Sequence, residues 1–121
     1  MKRFLLIIIA FAGMGLIQSC KDKTVDLSEV TIVYDAADAP LVAQMANTLA
    51  DDIERVSGTR PAVVSGAAEG PVVVLGTVGK SSLLSSDKGL TGKWESFAIG
   101  TSDGRVEVAG SDPRGLAYGV F

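Results

Sequence analysis

The segment Pro71–Thr77 (PVVVLGT) carries Val72, Val73, Val74 and Leu75 in unbroken succession between turn-forming residues. An uninterrupted apolar run of this kind, rich in β-branched side chains, predicts a buried strand. A strand without a polar face has to be covered on both sides, so the chain around it must supply packed layers.

The flanking segments supply candidates for those layers. Glu29–Asp35 (EVTIVYD) reads as a strand in which Val30, Ile32 and Tyr34 alternate with Thr31 and Val33, and both faces are fairly apolar. Asp38–Ser57 predicts a helix, with Asp38 as N-cap and Pro40 in the first turn. Val42, Met45, Ala46, Leu49, Ile53 and Val56 recur at helical spacing and form one apolar stripe. Gln44, Asn47, Asp51, Asp52, Glu54 and Arg55 fall largely on the other side. Gly58 suits the position just past the helix, and Pro61 prevents its continuation. Ala62–Ser65 reads as a short strand, Gly66–Gly70 as a loop, and the Ser-rich Gly79–Ser86 as a short helix or turn.

Trp94–Ser102 and Arg105–Gly110 read as a hairpin. Phe97 and Ile99 share a face with Val106 and Val108, and Asp103-Gly104 between them is the residue pair that accepts the positive φ of a type I′ turn. Asp112–Phe121 (DPRGLAYGVF) opens a second helix, capped by Ser111 or Asp112 with Pro113 at its first position. Leu116, Val120 and Phe121 start an apolar stripe with no closing signal, so a longer protein is expected to continue past Phe121. The sum is an α/β domain: a mixed sheet of about five strands with helices packed on it.

The first residues follow a different logic. Lys2 and Arg3 precede an apolar run from Phe4 to Ile17, closed by Ser19 and Cys20. The run falls short of the roughly 20 residues that span a bilayer and reads as a secretory signal. Leu16-Ile17-Gln18-Ser19-Cys20 resembles a bacterial lipobox, which implies a diacylglycerol thioether on Cys20 and cleavage before it. The expected division is a signal peptide over 1–19, a polar tether over 20–28 and the folded domain over 29–121. The expected location is outside the cytoplasm, on the cell surface or outer membrane or on a periplasmic membrane face, held by the lipid on Cys20.

Charge and composition narrow the function. Of the 11 basic residues two lie in the leader, so 9 face 14 acidic ones, a balance of −5. An acidic chain without a basic cluster does not suit nucleic acid. The chain has no histidine, which removes imidazole bases and ligands, and its single cysteine argues against disulfides and thiolate metal sites. Neither metal nor cofactor is expected.

Several motifs invite chemistry. Gly79-Lys80-Ser81 follows a strand, as in a phosphate-binding loop, but Val74 stands where GxxxxGK[ST] needs glycine, so a plain strand-to-loop turn is expected. Neither GxGxxG nor GxSxG is present. Asp51, Asp52 and Glu54 are neighbouring carboxylates, but on the polar side of a helix they are expected to be solvated and to lack the pocket of an acid catalyst. Trp94 and Glu95 could form a sugar platform, although a lone aromatic at a strand start reads first as a core or edge residue. Asp112 and Arg114 read as a helix start, paired with each other or with a following domain.

Four segments together resemble the opening domain of glycoside hydrolase family 115: Leu49–Pro61 (LADDIERVSGTRP), Val72–Leu84 (VVVLGTVGKSSLL), Gly92–Gly100 (GKWESFAIG) and Val108–Phe121 (VAGSDPRGLAYGVF). A looser likeness joins the domain before the barrel in family 20 hexosaminidases and family 67 α-glucuronidases, through Ala109-Gly110, Arg114-Gly115 and Tyr118-Gly119. The resemblance implies a non-catalytic domain leading into a (β/α)8 barrel with the active site, in an α-glucuronidase that removes 4-O-methylglucuronic acid from xylan. Glucuronoxylan would then meet the barrel, and any homodimer would form through regions beyond this stretch, so no catalytic residue is carried over. Two further functions are compatible with the residues: a hexosaminidase with the same first domain, and a free-standing surface lipoprotein that binds glycans. The latter would have to draw on the five aromatics that lie outside the leader.

Overall fold

The computed structural model describes residues 25–121; the signal peptide, Cys20 and the first part of the tether lie outside them. Five strands form one sheet: β1 (Thr31–Tyr34), β2 (Ala62–Ser65), β3 (Val72–Thr77), β4 (Phe97–Ser102) and β5 (Arg105–Gly110). Their spatial order is β2-β1-β3-β5-β4. The first four in that order run parallel, and β4 pairs antiparallel with β5 at the edge. The sheet is therefore mixed, as expected, with two helices: α1 (Pro40–Ser57) and α2 (Pro113–Val120).

β3 is buried at every one of its residues, which its apolar sequence demands. On one face Val73 and Leu75 join Ile32 and Val30 before β1, Val108 of β5, Val42, Ala46, Ala50 and Ile53 of α1, and Leu116 of α2 in one core. Each large aliphatic side chain removed from water there contributes on the order of 1.5–3 kcal/mol. On the other face Val33, Val72 and Val74 pack with Ala68, Leu83 and Leu84. Among the described residues no helix covers that side: Gly79–Ser86, read as a short helix or turn, belongs to a stretch of successive turns and bends over 78–90, and Leu83 and Leu84 close the second face.

α1 departs from its expected boundary at its start and ends at Ser57 as expected. Ala39, not Asp38, is its N-cap residue and offers no side-chain bond, while Pro40 takes the first helical position. Asp38 is instead buried and accepts from the backbone N–H of Thr77 at 2.7 Å, tying the helix start to the end of β3. Gly58 adopts φ 82° and donates its N–H to the Glu54 carbonyl, the left-handed closure that glycine makes without strain. Val56 was expected in the buried stripe and is 90 % exposed, whereas Ala50 is fully buried. The stripe rotates toward the small residue because α1 lies close to the sheet, and Met45 and Leu49 pack only along its margin.

The hairpin has the turn its residues predict, with Asp103 at φ 35° and Gly104 at φ 77°. Its register sets Ile99 opposite Val108 and Thr101 opposite Val106. After β5, Asp112 caps α2 by accepting from the N–H of Gly115 at 2.7 Å.

α2 lies against the hairpin at a separation only glycine permits. A Cβ on Gly115 would stand 2.2 Å from the Ser96 carbonyl oxygen, and one on Gly110 2.3 Å from the Leu116 nitrogen. Gly119 faces Phe97 and Val108 with almost as little room. Gly115→Ala is expected to force α2 off the hairpin at a cost of about 1–3 kcal/mol, read as a lower denaturant midpoint. An unchanged midpoint would show that the helix does not sit this close.

Candidate functional site

In open α/β sheets, ligands bind outside the carboxyl ends of the strands, at the point where successive connections diverge. Here that point lies between β1 and β3: the chain leaves β1 for β2 on one side, and β3 neighbours β5 on the other. The crevice is already filled by the protein's own carboxylates. Besides the Asp38 bond to Thr77, Asp35 accepts from Ser82 at both its N–H (2.8 Å) and its hydroxyl (2.7 Å). The Ser82 and Ala37 N–H groups and the Ser82 hydroxyl hold the Asp35 carboxyl below its usual range. Gly79-Lys80-Ser81 forms the turn out of β3, with Ser81 N–H donating back to the Thr77 carbonyl at 2.9 Å. Two anionic side chains at this mouth repel phosphate rather than cradle it, in keeping with the turn role read from the sequence.

Thr77 Oγ1 sits buried at the same end of β3 without a hydrogen-bond partner among the described residues. An unsatisfied buried hydroxyl costs on the order of 1–3 kcal/mol.

A second polar cluster lies on the loop-covered face. Glu107, mid-strand in β5, is 3 % exposed. It accepts from Arg105 Nε at 2.6 Å, from Lys88 Nζ at 3.0 Å, and from the N–H and hydroxyl of Ser85 at 3.1 and 2.9 Å. Arg105 also donates to the Leu83 carbonyl. Burial alone would raise the Glu107 pKa; the bonds from Arg105, Ser85 and Lys88 outweigh it and bring the group from 4.5 to about 2. Glu107 therefore stays ionised and holds the loop; it is not poised as a general acid. Alternation along β5 offered a signal, since an acid between Val106 and Val108 points away from the helices, and Arg105 stands two residues before it, but Ser85 and Lys88 lie some twenty residues earlier in a loop without periodicity.

The acidic residues singled out on α1 stand apart from this cluster. Asp51 and Glu54 are exposed and Asp52 half-buried; Asp51 pairs with Arg60, and Asp52 with Arg55 at 3.6 Å. Such exposed pairs contribute little. Asp112 and Arg114 do not pair with each other: Asp112 accepts from the Glu95 N–H at 2.8 Å while capping α2, and Arg114 donates to the Glu95 carboxylate at 3.0 Å. The N–H groups of Glu95 and Gly115 hold the Asp112 carboxyl below its usual range. Glu95, read as half of a sugar platform, is thus engaged in fastening the segment before β4 to α2. Trp94 is neither core nor strand: it precedes β4 and is 80 % exposed.

Further apolar side chains gather near that edge. Phe97 and Ile99 of β4, Tyr118 of α2 and Phe121 all keep about half or more of their surface in water. Among the described residues no group of three or more His, Cys, Asp or Glu could hold a metal, and no helix is long and apolar enough to cross a membrane.

Fold and contacts together define a mixed-sheet α/β domain whose buried acids work structurally and which exposes several apolar side chains near the β4 edge. Comparison with protein-family models and with curated proteins returned no match.

Two outcomes test these assignments. Glu107 has a folded pKa below its unfolded one, so its contribution of about 3 kcal/mol is present above pH 4.5 and is lost as pH falls toward 2. Glu107→Gln is expected to melt lower at neutral pH and to flatten the stability profile across that window in acid-titrated thermal melts. Thr77→Val removes the unpartnered hydroxyl at nearly constant shape and is expected to raise stability by about 1 kcal/mol in denaturant titration.

Proposed function

We propose that residues 29–121 are the first, non-catalytic domain of an exported, lipid-anchored glycoside hydrolase, most specifically an α-glucuronidase acting on glucuronoxylan. The observation that carries this reading is the packing of α2. The glycines of the quoted segment Ala109-Gly110, Arg114-Gly115 and Tyr118-Gly119 are the residues that let α2 lie on the hairpin. Arg114 in the same segment fastens Glu95. The motif behind the resemblance thus encodes a way of mounting a helix, which is what a domain leading into a barrel has to do. Phe97, Ile99, Tyr118 and Phe121 beside it offer apolar surface for a neighbouring domain, which exposed patches of this kind commonly mark. In this arrangement the barrel supplies the carboxylate pair, and the domain described here supplies support.

One observation favours a second reading. Trp94 presents nearly all of its indole to solvent, the disposition a sugar-stacking residue needs in a surface glycan-binding lipoprotein.

The product of the complete gene separates the readings. Release of 4-O-methylglucuronic acid from aldouronic acids is the expected result. Cleavage of aryl hexosaminides instead would assign a hexosaminidase carrying the same first domain. A gene that stops at codon 121, whose product binds xylan and loses that binding on Trp94→Ala, would replace the hydrolase reading altogether.

A further inference from the structure

α1 ends beside an open apolar groove of about 200 Å³, lined by Leu27, Asp52, Ile53, Val56 and Ser57. Val56 is 90 % exposed and Leu27 47 % exposed, so two aliphatic side chains face water at its rim. The groove lies at the end of the domain where the chain enters: Val25 packs on the main core two residues before Leu27, and β1 begins at Thr31. It is the end opposite the crevice filled by Asp35 and Asp38, because α1 runs back from the carboxyl end of β1 to the amino end of β2.

Chain length decides what stands opposite this face. Five residue steps separate Cys20 from Val25, a reach of at most roughly 18 Å when fully extended. A domain of about 100 residues, with a radius of gyration near 13 Å, is roughly 30 Å across. A tether shorter than the body it holds cannot let the far side turn to the anchor, so a lipid on Cys20 brings the face around Val25 and Leu27 to the bilayer.

We propose that the Leu27–Ile53–Val56 groove is the surface on which the anchored protein rests against phospholipid, an inference that depends on lipidation of Cys20. Leu27 and Val56 enter the boundary between headgroups and acyl chains, as the apolar side of an interfacial helix does. The lipid tethers the molecule and the groove orients it, holding the β4 edge and the carboxyl end of the sheet away from the membrane.

The sole natural cysteine makes a direct test possible, since its sulfur is consumed by the lipid. The full chain is expressed with its leader in bacteria as Val56→Cys, Leu27→Cys and Lys80→Cys variants, the last at the opposite end of the sheet. Mass measurement establishes the diacylglycerol on Cys20. The introduced thiol is labelled with bimane, and the protein is reconstituted in phosphatidylethanolamine–phosphatidylglycerol vesicles with and without nitroxide-bearing lipid. The expected result is loss of bimane fluorescence to lipid nitroxide at positions 27 and 56 and retention at 80. A lipidated protein in which all three positions are quenched alike, or none is, overturns the orientation while leaving the anchor in place. Bimane at 56 shielded from aqueous iodide yet untouched by lipid nitroxide would assign the groove to a protein neighbour and overturn the proposal. An unmodified Cys20 removes the anchor and the orientation with it, and that failure is read from the mass alone.

Discussion

β3 leaves no side chain in water, and everything else in the domain answers that constraint. A strand buried on both faces needs two covering layers, and among the described residues the helices cover only one. α1 and α2 share the face of Val73 and Leu75. The other face receives a loop, and a loop brings few apolar side chains and many backbone polar groups. Leu83 and Leu84 supply the apolar part of the lid. Its attachment is electrostatic: Glu107 reaches from the middle of β5 to Ser85 and Lys88, Arg105 braces Glu107 and binds the Leu83 carbonyl, and Asp35 holds Ser82. Removing Glu107 would leave Ser85, Lys88 and Arg105 without their common partner, while Asp35 would keep its hold on Ser82.

The same economy shapes the opposite layer. Over its eight described residues α2 is held chiefly by packing. Leu116 anchors it in the core, Asp112 satisfies its first turn, and glycines at 115 and 119 bring its backbone down onto the hairpin. Replacing side chains by backbone contact explains how a helix with so little apolar surface holds its place. It also leaves the aromatic residues around it, Phe97 and Tyr118 among them, directed outward where another body can meet them.

What the sequence made legible follows from which forces are local. The strands, the type I′ turn at Asp103-Gly104, the Gly58 closure and the Asp112 cap are written in periodicity and in residues with distinct backbone preferences. The mixed sheet followed from the spacing of those elements. Asp38 was misread because its carboxylate has two possible partners, the helix start beside it and Thr77 nearly forty residues away, and only the folded sheet brings the second into reach. Val56 was misread because helical periodicity identifies a stripe without fixing how it is rotated against the sheet; Ala50 takes the buried place since a small side chain permits closer contact. Glu107, the lid it fastens and the groove beside Leu27 all join residues distant in sequence, and no local pattern announces them.

The two ends of the sheet differ in a way that bears on function. At the carboxyl end, where α/β folds usually place their ligands, Asp35 and Asp38 already occupy the N–H groups that would otherwise attract an anion. A phosphorylated ligand entering there would have to break internal bonds and meet two negative charges, so the fold has converted its customary binding crevice into a fastening. The apolar side chains that remain unsatisfied lie elsewhere, at the β4 edge and beside the tether. The β4 edge stands next to α2, and the groove stands at Leu27, near the start of the described residues. Under the proposals above, the first surface would meet a neighbouring domain and the second a membrane, with the pinned sheet as the spacer between them.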